Sequence, residues 1–442
     1  MSGQQEHRIR TLLGRRGLLL GAGALAGAGS LARTPQAAVA TTAKIVIIGA
    51  GAAGLSTASR LAMGLSGAQI TLLDKRREHH YQPGYTLVAA GLKSPDYVLS
   101  STRTWVHRGV NWVEEAAAEI DPVGKVVTTD AGQRLPYDFL VVATGLTLDY
   151  GAIEGMDVSR IGQNGLGSVY AGPAQAAATW RAMSDFADRG GQGVFLRPAT
   201  EMKCAGAPLK YAFLTDDFLR RRGNRGRAEL TYNAQNRVLF SVPIVAERVR
   251  MLYAERNIRV THDHVLRKID LDRRIATFRT PAGDAEQRYD FINVIPPMRA
   301  PEVVRNSPLR WQAGPWAADG WAEVDRHTLR HVRFPEVFCV GDIAGVPKGK
   351  TAASVKWQVP VAVDHLIATI QGRESAERYN GYTSCPLITR VGRAMLVEFD
   401  YNDNLTPSFP GVIAPLEELW ISWIMKEVGL KPTYLAMLRG RA

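Results

Sequence analysis

The chain has 442 residues, of which 46% are hydrophobic and 22% charged, with a formal net charge of +12. That is an ordinary globular composition with room for two or three domains. A basic surface suits nucleic acid, anionic lipid or a small anion, and the lack of a helix-turn-helix, zinc-finger or RNA-binding signature argues against nucleic acid.

Part of the basic excess lies at the start, where Arg8, Arg10, Arg15, Arg16 and Arg33 face only Glu6. Arg15-Arg16 precede Gly17-Leu18-Leu19-Leu20 and a run of small apolar residues to Ala32, then Pro35 and Ala38-Val39-Ala40. A charged front, a short apolar middle and an A-x-A end describe a signal peptide. Paired arginines point to twin-arginine export. Residues 1–40 are therefore expected to be removed and the mature protein to be periplasmic, where disulfides are permitted.

Lys44 to Ile48 is a short β-branched run, predicted as a buried parallel strand. It enters Gly49-Ala50-Gly51-Ala52-Ala53-Gly54, and a helical pattern follows through Leu55, Ala58 and Leu61. A second strand, Gln69 to Leu73, ends at Asp74, twenty residues past Gly54. The glycines allow a tight turn and bring a pyrophosphate onto backbone N–H groups at a helix start. Asp74 stands where an acid accepts the ribose hydroxyls of an adenosine.

Two later segments bear on which dinucleotide binds. Phe139 to Val142 runs into Ala143-Thr144-Gly145, and Val337 to Val340 runs into Gly341-Asp342. With the first turn, this trio resembles the flavoprotein disulfide reductases that have two dinucleotide-binding domains. The resemblance implies FAD, held by Thr144 and Gly145, by Asp342 at the ribityl chain and by the backbone of Ala117 at adenine. Members that use NAD(P)H carry a second glycine motif in mid-chain. Here the strand Gly193 to Leu196 runs into Arg197-Pro198-Ala199-Thr200 instead. The second nucleotide domain is thus expected to keep its fold without binding NAD(P)H.

Of the three cysteines, Cys339 sits within an apolar strand and reads as a small buried hydrophobe. Cys204 lies in the loop Lys203 to Lys210, which opens a helical stretch from Tyr211 to Leu219. Flanking lysines and a helix start both favour a thiolate. Cys385 lies in the turn-rich Gly381 to Pro386. With 180 residues between them, only the tertiary fold can bring Cys204 and Cys385 within disulfide range. Taken alone, either remains open to a structural role.

The segments Lys203-Cys204-Ala205-Gly206-Ala207-Pro208, Gly349-Lys350-Thr351-Ala352-Ala353 and Gly381-Tyr382-Thr383-Ser384-Cys385-Pro386 resemble the sulfide:quinone oxidoreductase family. Tyr81-Gln82-Pro83, Val294 to Met298 and Val397 to Tyr401 extend the likeness over most of the chain after residue 40, closest to the branch with the mitochondrial animal enzymes. The resemblance implies a Cys204–Cys385 redox disulfide attacked by hydrosulfide, a persulfide on Cys385, and a released Cys204 thiolate at the flavin. It also implies roles for Lys210 beside the sulfurs, for Glu154 as a proton carrier, and for Gln82, Lys350, Thr351, Ala352 and Ala353 at the cofactor. Electrons then pass to a quinone, and the sulfane sulfur leaves to a small thiol, sulfite or a growing polysulfide. The export signal departs from the animal pattern.

At the C-terminus, Leu416, Leu419, Trp420, Trp423, Ile424 and Val428 recur at helical spacing, with Glu417, Glu418, Ser422 and Lys426 largely opposite. A second apolar piece follows Gly429 and Pro432. Tryptophans and terminal arginines suit a helix at headgroup level, and no apolar run is long enough to span. Phe399 and Phe409 are candidates for a quinone channel.

The expected architecture is α/β. An FAD-binding domain covers 41–155 and 290–380, a degenerate second Rossmann-like domain 156–289, and a redox-cysteine and membrane-contact region 381–442. The principal rival is the flavin subunit of a cytochrome c-reducing sulfide dehydrogenase, which needs no lipid-facing helix. A type II NADH:quinone reductase and a non-enzymatic flavoprotein with structural cysteines also compete.

Overall fold

A computed structural model describes residues 37–442, and Ala40–Ala442 form one compact unit. The signal peptide expected over residues 1–40 lies outside the described residues except for its last four.

The first domain begins with β1 (Lys44–Ile48), α1 (Ala52–Gly64), β2 (Gln69–Leu73) and β3 (Asn111–Val113). A three-stranded antiparallel sheet follows, β4 (Ala117–Asp121), β5 (Val126–Thr129) and β6 (Arg134–Pro136), and then β7 (Phe139–Val142). The second domain holds β8 (Leu166–Gly167), α2 (Pro173–Arg189), β9 (Gly191–Leu196), α3 (Ala207–Arg221), β10 (Ala228–Asn233), α4 (Pro243–Glu255) and β11 (Ile258–Thr261). An antiparallel sheet, β12 (Val265–Asp270), β13 (Ile275–Thr280) and β14 (Gly283–Arg288), precedes β15 (Phe291–Asn293). The chain then returns to the first sheet as β16 (Val337–Cys339), continues through α5 (Ala352–Ile370), and makes the hairpin β17 (Thr383–Arg390) and β18 (Arg393–Phe399). It ends with α6 (Trp420–Ile424), a single π-helical turn over Met425–Gly429, and α7 (Leu430–Leu438).

Two five-stranded sheets organise the molecule. The first has the order β16-β7-β1-β2-β3 and the second β8-β15-β9-β10-β11. All their pairings are parallel. Their strands are apolar runs because helices cover both faces. Ile45 to Ile48 and Val194 to Leu196 are at most 3% exposed. Cys339 closes β16 opposite Val142 and is fully buried, as its apolar setting suggests. α1 meets β1 closely at Gly54, where a β-carbon would overlap the carbonyl of Gly49.

Two expectations change. β15 pairs with β8 and β9, so residues from 290 complete the second sheet before the chain re-enters the first. The C-terminal stripe is not one helical face. Leu419 bridges Ala394 at the edge of β18 in extended backbone, so Leu416 and Leu419 precede the helix. The helix then runs through Gly429 and Pro432 without a break. The widened turn lies directly before Pro432, which has no N–H for the carbonyl of Val428, and it rephases the side chains. Trp423 turns inward, Trp420, Ile421 and Val428 face outward, and Lys426 is buried. Among the described residues no helix is long and apolar enough to cross a membrane.

Candidate active site

The carboxyl end of the first sheet opens into a cavity of about 480 Å³. Its floor is the turn from β1 into α1. Gly51 caps α1 with no side-chain hydrogen bond and no acid in the first turn, and a β-carbon there would meet nothing within 4 Å. Free N–H groups at a helix start, facing open space, suit a phosphate. Ala52 and Ala53 continue that wall. Gly49, at φ +104°, is barred from a side chain by the Ala143 carbonyl, 2.5 Å from where the β-carbon would stand. Thr144 and Gly145 line the cavity beside it.

A second helix start faces the same space. Thr351 caps α5 by accepting the Ser354 N–H at 3.1 Å, and Ala352 and Ala353 border the cavity. Asp342 projects into it, and no described group donates a hydrogen bond to its carboxylate. Burial raises its pKa against the pull of Lys203 and Lys350. A carboxylate with no protein donor, facing the same cavity as the uncapped start of α1, fits a ligand rich in hydroxyls, as FAD is. Gln82 lies at the rim, its Oε1 accepting from Lys203 Nζ at 2.7 Å.

The far end of the cavity holds sulfur. Cys204 comes from the loop before α3, Cys385 from β17, and their thiols are hydrogen-bonded to each other without a disulfide. Gly206 makes room for this, because a β-carbon there would overlap Cys385 Sγ. Lys210, one turn into α3, is 3% exposed and donates to Cys204 Sγ at 3.5 Å. The Cys385 hydrogen bond, assisted by the charges of Lys210 and Lys426, outweighs burial and holds Cys204 well below the ordinary thiol range. The same hydrogen bond, with burial, holds Cys385 above it. The pair thus favours ionisation at Cys204 over Cys385. Burial works against the charge of Lys210, but the two sulfurs outweigh it and raise its pKa.

A uniform helical period puts Lys426 on the solvent face of its helix, and the structure differs. Because the π turn swings it inward, it lines the cavity at 3% exposure, and its Nζ donates to the Pro83 carbonyl at 2.6 Å. Burial, then repulsion from Lys210, lowers its pKa to about 7. Leu430 and Tyr434 follow it down the same wall. Tyr434 is hydrogen-bonded to His79 Nε2 at 2.8 Å, and burial lowers the pKa of that imidazole to about 4. The helical period misplaces Lys426, and no pattern in the sequence marks Tyr434.

Other expected residues lie elsewhere. Glu154 does not reach the sulfurs. Its exposed carboxylate is paired with Lys268 Nζ at 2.7 Å, held by the backbone bridge between those two residues. Ala117 starts the β4 hairpin opposite Thr129 and does not line the cavity. The Asp74 carboxylate accepts the Ala50 N–H at 2.7 Å and pairs with Arg76 at 2.7 Å, so it secures the phosphate turn from behind. Lys350 borders the cavity, but its Nζ donates to the carbonyls of Asp342 (2.6 Å) and Ala344 (3.0 Å) over the Trp321 ring. Burial lowers its pKa to about 8. Phe399 packs on Phe240 in the core, and neither it nor Phe409 lines the cavity.

The family described as Pyridine nucleotide-disulphide oxidoreductase matches residues 43–171. The mitochondrial sulfide:quinone oxidoreductase of Dictyostelium discoideum is 34% identical over 90% of this chain and 86% of its own. That of Mus musculus is 32% identical over 83% of this chain and 80% of its own. The solved sulfide:quinone oxidoreductase of Aquifex aeolicus shares the fold, with a TM-score of 0.73 over 90% of this chain and 92% of its own, at 22% identity. The chain belongs to the sulfide:quinone oxidoreductase family of FAD-dependent enzymes.

Proposed function

We propose that this chain oxidises sulfide at the Cys204–Cys385 pair and delivers the electrons, by way of FAD in the cavity, to a quinone. The observation that carries this reading is the placing of Cys204 and Cys385 together beside Lys210, at the end of a cavity suited to a dinucleotide. In the oxidised enzyme, hydrosulfide attacks the disulfide. A new S–S bond forms, giving a persulfide on Cys385, and the old one breaks, releasing the Cys204 thiolate. A nucleophilic acceptor, whether a small thiol, sulfite or polysulfide, removes the outer sulfur and leaves the pair reduced by two electrons. Bound FAD supplies the two-electron acceptor that restores the disulfide and reduces quinone.

The chain's own part is electrostatic and steric. Lys210 and Lys426 draw an anionic nucleophile inward and stabilise the thiolate that departs. The helix starts at Ala52 and Ala352 orient the cofactor, Asp342 takes its hydroxyls, and Asp74 acts through the Ala50 turn. The turn after β9 carries Arg197-Pro198 where a nicotinamide phosphate would need glycine, which supports the reading that NAD(P)H is not used. Exposed Trp420, Ile421 and Val428 favour a lipid-borne quinone over a soluble cytochrome c, with the enzyme seated peripherally on the periplasmic side after twin-arginine export.

Anaerobic addition of sulfide to the purified holoenzyme tests the reading. Flavin absorbance is expected to bleach and to return with a quinone analogue, while NADH gives no bleaching. Cys204→Ser is expected to keep its FAD and lose the bleaching by sulfide. Persistent sulfide oxidation in that variant would overturn the cysteine assignment, and return of colour with cytochrome c alone would favour the rival.

A further inference from the structure

Cys204 has a backbone φ of +46°, a left-handed conformation that side chains other than glycine adopt at a cost. Something must hold it there. Its N–H donates to the Lys350 carbonyl at 3.0 Å, and its carbonyl accepts the Ala207 N–H at 2.8 Å. The remaining support comes from outside the loop. The Tyr170 hydroxyl lies 2.8 Å from the carbonyl of Lys203 and 3.1 Å from that of Cys204.

We propose that Tyr170 is a positioning residue for Cys204: its hydroxyl, shared between those two carbonyls, holds the strained loop so that the sulfur stays against Cys385 and Lys210. A single O–H carries one proton, so the bond is divided between two acceptors that bracket the unusual residue. The phenol has a firm base. It follows β8, and the neighbouring Ser168 is tied by its N–H to Thr179 Oγ1 at 2.8 Å and by its hydroxyl to the Val294 carbonyl at 2.7 Å. Tyr170 is 8% exposed and lines the cavity, and Lys203 Nζ lies 5.3 Å from its ring centroid. Burial keeps the hydroxyl protonated and therefore a donor. Tyr170 thus ties the sulfur loop to the end of β8, while the Lys350 carbonyl ties it to the loop before α5.

The inference rests on Cys204 and Cys385 as the reacting pair, and its test reads the cysteines themselves. In the FAD-loaded protein Tyr170 is replaced by p-methylphenylalanine, which fills the hydroxyl's place without donating, and by p-aminophenylalanine, which restores a donor. Tyr170→Phe is the simple companion. Two quantities are measured: the thiol–disulfide equilibrium against dithiothreitol, and the pH profile of iodoacetamide alkylation mapped to Cys204. The methyl variant is expected to favour the dithiol by about five- to tenfold, the scale of one lost net hydrogen bond, and to shift the alkylation midpoint upward. The amino variant should return both toward wild type at unchanged FAD content. A methyl variant matching wild type on both readings overturns the proposal, and so does an amino variant that fails to restore them. Sulfide oxidation surviving in Cys204→Ser would instead sink the reaction assignment and leave these readings valid.

Discussion

A β-carbon on Gly206 would overlap the Sγ of Cys385. The glycine sits two residues after Cys204, so the same short loop supplies one sulfur and clears space for the other. Gly206→Ala is therefore expected to push Cys385 off Cys204 while leaving the FAD cradle untouched. Sulfide-driven flavin bleaching should fall by about a hundredfold, the penalty typical of misplacing a reacting group by an ångström. Stopped-flow absorbance with FAD content as a control checks this, and a rate within twofold of wild type would show that the contact is dispensable.

Lys210 Nζ stands 3.5 Å from the sulfur it is argued to activate. A depressed thiol pKa means that the thiolate survives as pH falls, so alkylation of reduced Cys204 should stay fast well below the ordinary thiol range. Lys210→Met removes a cation and leaves the Cys385 hydrogen bond. The midpoint should rise, and at any pH below it alkylation should slow by about tenfold for each unit of the rise. A profile that does not move would place the activation on Cys385 and Lys426.

Much of the fold was legible because its signals are local. The strands Lys44–Ile48 and Gln69–Leu73 and the helix that follows Gly54 come from apolar runs, β-branching and a helical spacing of apolar residues. The phosphate turn was legible because glycine is demanded by geometry that any such turn must satisfy. The contact of Cys204 with Cys385 was not, since neither carries local information about a partner so far along the chain, and only the family resemblance joined them. Lys426 was hidden for a different reason. Its placement depends on one widened turn, and a uniform helical period put it on the wrong face. Glu154 differs again: the resemblance gives it a proton-carrying role, and the β12 edge holds its carboxylate beside Lys268.

Burying Lys426 has a cost that depends on pH. Its pKa is about 7 in the folded protein against an ordinary 10.5. Between those values the unfolded chain binds the extra proton, so this lysine's contribution makes stability rise with pH across the window. Below about pH 7 the burial penalty is present in full, on the order of several kcal/mol at about 1.4 kcal/mol per unit. Lys426→Met should therefore raise the melting temperature of the holoenzyme by several degrees at pH 6, and by less at pH 9.5. Equal gains at both pH values would mean that the lysine keeps its ordinary pKa and stays protonated in its buried site.

The helix that carries Lys426 inward presents Trp420, Ile421 and Val428 outward at 42–57% exposure. Three large apolar side chains exposed over about two turns are expensive in water and suit the boundary between headgroups and acyl chains. Replacing all three with serine removes that surface without touching Leu430 or Tyr434 in the cavity. Co-sedimentation with anionic vesicles should fall at least fivefold, on the order of 1 kcal/mol. The KM for a long-tailed quinone in those vesicles should rise, while anaerobic bleaching by sulfide keeps its rate, because the sulfur end of the cavity is unchanged. Undiminished vesicle binding would move the membrane contact elsewhere on the molecule, and slowed bleaching would mean that these residues hold the cavity wall in place.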